Sequence, residues 1–95
     1  MGFFPKLFEP GKIGTMQLSN RIIMAPMATL YANEDGTVSD RLIRYYVERA
    51  KSGLGLMIVE NIAVAPEGKV DSRELRIYGD EFIPGLARLV SALRP

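Results

Sequence analysis

The chain has 95 residues, with twelve Lys and Arg against eleven Asp and Glu, a formal net charge of +1, and neither cysteine nor histidine. This length bounds it to one small domain, and the near-neutral balance supplies no field that would draw it to nucleic acid or an anionic membrane. Without cysteine or histidine these residues hold no disulfide scaffold, no iron–sulfur ligands, no thiol nucleophile and none of the commonest near-neutral acid–base or metal-binding side chains.

The first eight residues, MGFFPKLF, lack the apolar run of a secretory signal. The longest core-like stretch, Leu54 to Val59, is six residues, far short of the roughly 18 needed to span a bilayer. The expected location is cytoplasmic. Two short extended pieces, at Leu7–Phe8 and Met16–Leu18, are separated by Pro10-Gly11 and Gly14-Thr15 and predict a small hairpin. Arg21 to Ala25 is an apolar run stopped by Pro26, the pattern of a strand buried on both faces. Asn33, Asp35 and Gly36 mark a loop, after which Ser39 is a helix N-cap with Asp40 in the first turn. Leu42, Ile43, Tyr46, Val47 and Ala50 fall on one face and Arg41, Arg44, Glu48 and Lys51 on the other, so the spacing predicts a helix over 40–52 that stops at Gly53.

Leu54 to Val59 predicts a second buried strand, ending at the polar pair Glu60-Asn61. About twenty residues of weak periodicity follow, to Gly79; loops of such length usually serve function. Asp80-Glu81 favours the start of a last helix near Pro84, with Leu86, Leu89, Val90 and Leu93 as its apolar face. Two apolar strands joined by a helix form a parallel βαβ unit with a right-handed crossover, which leaves a doubly wound sheet or a (β/α) barrel. Two strands and two helices cannot cover strands buried on both faces, so the pattern asks for partners outside these residues.

In either architecture the ligand lies at the carboxyl ends of the strands. Those ends are Ala25-Pro26-Met27-Ala28-Thr29 and Glu60-Asn61. Small side chains and a proline bend would let a flat ligand approach the main chain, or the strand simply ends at its proline. A carboxylate at the end of a buried strand costs several kcal/mol if unpaired; Glu60 therefore takes Arg21, Arg73 or a ligand as its partner. Tyr45-Tyr46 reads as helix packing with one ring buried, and Gly53-Leu54-Gly55 as a helix stop and turn. No catalytic triad, metal-ligand spacing or basic stripe is found.

Leu7-Phe8-Glu9-Pro10, Lys12-Ile13-Gly14, Leu18 to Ile22 and Met24 to Met27 together resemble the opening of the old yellow enzyme family of NADH:flavin oxidoreductases, or ene-reductases. Asp35-Gly36-Thr37, Tyr45-Tyr46, Arg49-Ala50, Gly53 to Glu60, Ala65 to Gly68 and Ile83 to Leu86 continue the match in the same order. The resemblance implies an α/β fold that is part of a TIM (β/α)8 barrel. Residues 6–20 would be the bottom hairpin, 21–53 the first β/α unit and 54–95 the second. It implies an FMN cofactor, NAD(P)H as electron donor and an unsaturated small molecule receiving hydride at an activated C=C bond. The family's flavin contacts carry over to Ala25, Pro26, Met27, Ala28 and Asn61. Ala28 stands where many members have Thr or Cys, and Asn61 where many have Ala. These departures resemble the longer, multidomain dienoyl-CoA and enoate reductase branch, whose members add a 4Fe-4S cluster and an FAD portion downstream. The family's proton donor, phosphate-binding arginine and substrate-oxygen ligands belong to later strands, so no catalytic residue maps here and the 95 residues alone are expected to be inactive. The alternatives are a self-associating α/β binding module without catalysis and another FMN TIM-barrel enzyme, such as an amine dehydrogenase.

Overall fold

The computed structural model describes residues 3–94, so the outermost ends of the expected 1–95 barrel portion lie outside the described residues. The chain runs through a short helix α1 (Pro5–Phe8), a hairpin of β1 (Gly11–Ile13) and β2 (Met16–Leu18), and β3 (Ile23–Met24). Helix α2 (Asp40–Ala50) leads to β4 (Leu56–Met57); then come β5 (Ile62–Ala63), β6 (Leu75–Arg76) and helix α3 (Ile83–Leu93).

The hairpin is present with a different first strand from the expected one. β1 pairs antiparallel with β2, Ile13 opposite Met16, and Gly14 takes the turn at φ 58°. Leu7–Phe8 is helical because Pro5 opens a helical turn with its φ already fixed and no donor to lose. The turn docks through the Arg21 N–H, which donates to Leu7 O at 2.9 Å.

The βαβ unit forms as the periodicity predicts. β3 and β4 are parallel, with Ile23 opposite Leu56 and Met24 opposite Met57. Between them α2 starts where expected: Ser39 is extended and its hydroxyl accepts from Leu42 N at 3.0 Å. It stops at Lys51, and Gly53 supplies a φ of 86°. Gly55 has a separate purpose, since an added Cβ would lie 2.3 Å from Asn20 O. Asn20 ties the strands' entry together: its Nδ2 donates to Gly53 O at 2.7 Å and its Oδ1 accepts from Ile22 N at 2.9 Å.

The stretch expected as a loop contains a second parallel pair, β5 and β6, with Ile62 opposite Leu75. Two residues per strand are too few to leave a period in the sequence. α3 begins one residue before Pro84, after a 3-10 turn at Asp80–Phe82. Leu89 is buried while Val90 is 47% exposed, so the last apolar face is only part covered.

The core is Ala32, Val38, Leu42, Tyr46, Leu75 and Leu89, between α2, α3 and β6. The strands at the unit's centre are not buried on both faces in this chain: Ile23 and Ile58 remain 46% and 44% exposed. The accessible surface is 6566 Å², against about 5,400 Å² for a compact protein of this mass. The radius of gyration is 15.2 Å, against about 12 Å for a compact domain of this length. The fold therefore carries apolar surface that it does not itself cover. Among the described residues no helix is long and apolar enough to cross a membrane.

Candidate functional site

The parallel pairing of β3 and β4 brings their carboxyl ends together, and the Thr29–Glu60 hydrogen bond joins the segments that follow, one carrying Ala25 to Ala28 and the other Asn61. Met24 O accepts from Ile58 N at 3.1 Å, which is the last rung of the ladder. Beyond it Ala25, Pro26, Met27 and Ala28 run as exposed irregular backbone. Among the described residues the N–H groups of Ala25, Met27 and Ala28 have no backbone partner. Free donors, small side chains at Ala25 and Ala28, and the 60% exposed Met27 form an open shelf at the carboxyl end of β3.

Asn61 lies four residues beyond β4, directly before β5, and is exposed. Its Nδ2 donates to Glu74 Oε2 in a close contact, leaving its carbonyl side to a ligand. Glu74 is only 4% exposed and also accepts from Val70 N at 3.2 Å. The parallel β5–β6 pair brings Glu74 beneath Asn61; the sequence marked neither Glu74 nor its role.

Glu60 is buried, at 3% exposure, and its partners differ from the expected cations. Arg21 lies 3.6 Å from Glu9 and Arg73 lies 3.0 Å from Glu34, both at the surface. The Glu60 carboxylate instead accepts from Thr29 Oγ1 at 2.8 Å and from the Tyr46 hydroxyl at 2.9 Å, both on Oε1. Tyr46 in turn accepts from Glu60 N at 2.9 Å, so its hydroxyl both donates to and accepts from the same residue. Tyr46 is completely buried. Burial first, then the adjacent Glu60, pushes its phenol above the ordinary 10.0, and the group stays a donor throughout the neutral range. Thr29 and Tyr46 thus belong to the site, the first as more than a neighbour of Ala28 and the second as more than core packing. No local sequence signal pairs them with Glu60, from which they lie 31 and 14 residues away.

The loop from Thr29 to Ser39 is held just as closely. Leu30 has φ 60°, a left-handed conformation that costs a leucine roughly 1–2 kcal/mol. On either side of it Thr29 Oγ1 accepts from Tyr31 N at 3.1 Å, and Tyr31 O accepts the Ser39 hydroxyl in a close contact. The Tyr31 ring meets Tyr45 edge-on, with centroids 5.7 Å apart, and Arg41 lies over its face at 3.8 Å. No group of three or more metal-ligating side chains occurs among the described residues.

Three comparisons bear on this geometry. A family model described as NADH:flavin oxidoreductase / NADH oxidase family matches residues 6–95. The chain is 50% identical over 94 residues to an NADH oxidase of Thermoanaerobacter brockii, covering 98% of this chain and 14% of that protein. It is 40% identical over 90 residues to an NADPH dehydrogenase of Bacillus subtilis, covering 94% of this chain and 27% of that protein. Among solved structures, the old yellow enzyme from Trypanosoma cruzi superposes with a TM-score of 0.83 at 39% identity, over 95% of this chain and 24% of that one. A 2-naphthoyl-CoA reductase in complex with 2-naphthoyl-CoA gives 0.89 at 30% identity, over 93% of this chain and 14% of that one. The chain thus spans about a quarter or less of the proteins it matches, and its fold is part of a TIM barrel.

Proposed function

The chain belongs to the NADH:flavin oxidoreductase / NADH oxidase family, and from that premise we propose that it forms the entry quarter of an FMN-dependent, NAD(P)H-consuming ene-reductase. In this reading the β1–β2 hairpin closes the bottom of the barrel, and residues 21–53 and 54–95 are its first two β/α units. The later strands would cover Ile23 and Ile58 and complete the surface that this chain leaves open.

The observation that carries the reading is the shelf at the carboxyl ends of β3 and β4. Ala25, Pro26, Met27 and Ala28 offer free main-chain donors and small side chains, and Asn61 offers an amide held by Glu74. These residues would hold one edge of FMN, with main-chain N–H groups of the shelf and the Asn61 amide as its polar contacts. Bound FMN supplies two-electron hydride chemistry, from NAD(P)H to the activated C=C bond of a small unsaturated substrate. This chain's part is to bind and orient. Ala28 offers no hydroxyl or thiol to the flavin; among these five residues the polar side chain is that of Asn61.

Among the curated relatives, the higher identity to the longer protein favours a long, multidomain form, while among the solved structures the higher identity is to the shorter one. Among the former, identity is 50% to a relative of which the chain spans 14%, against 40% to one of which it spans 27%. A 4Fe-4S cluster and an FAD portion would then follow downstream. The test is to purify the complete protein and follow NAD(P)H oxidation with an activated alkene. Flavin absorbance with alkene-dependent NAD(P)H oxidation is expected; a colourless protein that takes up no added FMN refutes the reading.

A further inference from the structure

We propose that Thr29, Glu60 and Tyr46 are positioning residues that clamp the two cofactor-facing segments in register; the proposal rests on the FMN reading above. Thr29 directly follows the shelf residue Ala28, and Glu60 directly precedes Asn61. The two segments are far apart in the chain and are joined at one buried carboxylate oxygen, by Thr29 at 2.8 Å and Tyr46 at 2.9 Å. No cation pairs with Glu60 among the described residues.

The connections close on themselves. The Ser39 hydroxyl caps α2 through Leu42 N and donates to Tyr31 O; Tyr31 N donates to Thr29, Thr29 to Glu60, and Tyr46 returns the path to the second turn of α2. Leu30 sits inside this ring at φ 60°. A strained residue persists only where its surroundings over-determine it, and such strain concentrates at functional sites. Here the strain lies two residues from Ala28, and both of its neighbours in sequence are tied into the ring. Satisfying the Glu60 carboxylate takes only the two hydroxyls; the strained turn lies beyond them, on the side of the shelf.

The experiment uses the complete protein stripped of flavin, with FMN as the probe. Thr29→Val removes the donor at a half-buried position and Thr29→Ser keeps it. FMN affinity and the visible absorption bands of the bound flavin are read beside thermal unfolding without FMN. Thr29→Val should weaken FMN binding about tenfold and shift the bands, and Thr29→Ser should restore both to within about twofold. Tyr46→Phe opens the same clamp from the helix and should reproduce the loss, which keeps a readout if Thr29→Val fails to fold. Variants that lower the unfolding temperature yet bind FMN with wild-type affinity and spectrum overturn the proposal and leave the FMN reading standing. Wild-type protein that takes up no FMN overturns both.

Discussion

Replacing Tyr46 with phenylalanine deletes one oxygen from the interior, and its cost follows from what that oxygen touches. The hydroxyl donates to Glu60 Oε1 at 2.9 Å and accepts from Glu60 N at 2.9 Å, on a residue with no exposed surface. A hydrogen bond to a charged group contributes about 1.5–3 kcal/mol, and a buried donor left without a partner costs about 1–3 kcal/mol. Burying phenylalanine in place of tyrosine offsets part of this, so Tyr46→Phe should destabilise the fold by about 2–4 kcal/mol. Urea unfolding of the flavin-free complete protein measures it, as a shift in midpoint at unchanged slope. The pH dependence adds a second check. The folded-state pKa of Tyr46 lies above its ordinary 10.0, chiefly through burial. Its contribution is therefore complete below the unfolded value near pH 10 and is lost as pH rises beyond it. Wild type should weaken through the alkaline range by a component that Tyr46→Phe lacks. A loss below about 0.5 kcal/mol, within the range of ordinary surface substitutions, would refute the claim that this hydroxyl holds Glu60.

Gly55→Ala places a Cβ 2.3 Å from Asn20 O, a backbone atom that cannot step aside; chemical unfolding should show a loss of about 1–3 kcal/mol. Gly36→Ala combines a φ of 83° with a Cβ 2.3 Å from the Cδ of Arg76. The Arg76 guanidinium is fixed on the carbonyls of Asp35 and Glu34 at 2.9 and 3.0 Å. Melting should show a destabilisation of at least about 1 kcal/mol. Asp35 is held below its ordinary 3.8 by the Thr37 hydroxyl first and the Thr37 N–H second. That stabilisation is present above pH 3.8 and lost as pH falls through the lowered value, and Thr37→Val should move the carboxyl titration, read by NMR, back up towards 3.8. Arg88→Ala breaks a 2.7 Å pair with Asp40 in which both side chains are more than half exposed, and its effect on unfolding should stay within about 0.5 kcal/mol.

Helices α2 and α3 were legible in the sequence because their signals are local and repeated. Ser39 names its own cap, Gly53 its own stop, and the α2 face recurs over three turns. The parallel pairing of β3 with β4 followed from two apolar runs and a helix between them. Glu60 was legible as a buried carboxylate, but its partners were not. They come from a loop and a helix face that meet it only in three dimensions, and a search for an opposite charge points to arginines whose side chains stay with Glu9 and Glu34 at the surface. β5 and β6 escaped because two-residue strands carry no period, and Glu74 escaped with them. Leu7–Phe8, expected to be extended, lies in the short helix α1 because its apolar pair matches either state. The shelf residues Ala25 to Ala28 and Asn61 were placed by the family resemblance. Their proximity rests on the β3–β4 register and the Thr29–Glu60 hydrogen bond, and their role on the proposal of an FMN site.

The most direct test of that site is a crystal structure of the complete protein with FMN bound. The account predicts the flavin ring against the main chain of Ala25 to Ala28, with the Asn61 amide at its edge and Glu60 still buried on Thr29 and Tyr46. A flavin bound away from the carboxyl ends of β3 and β4, touching none of these residues, would contradict it.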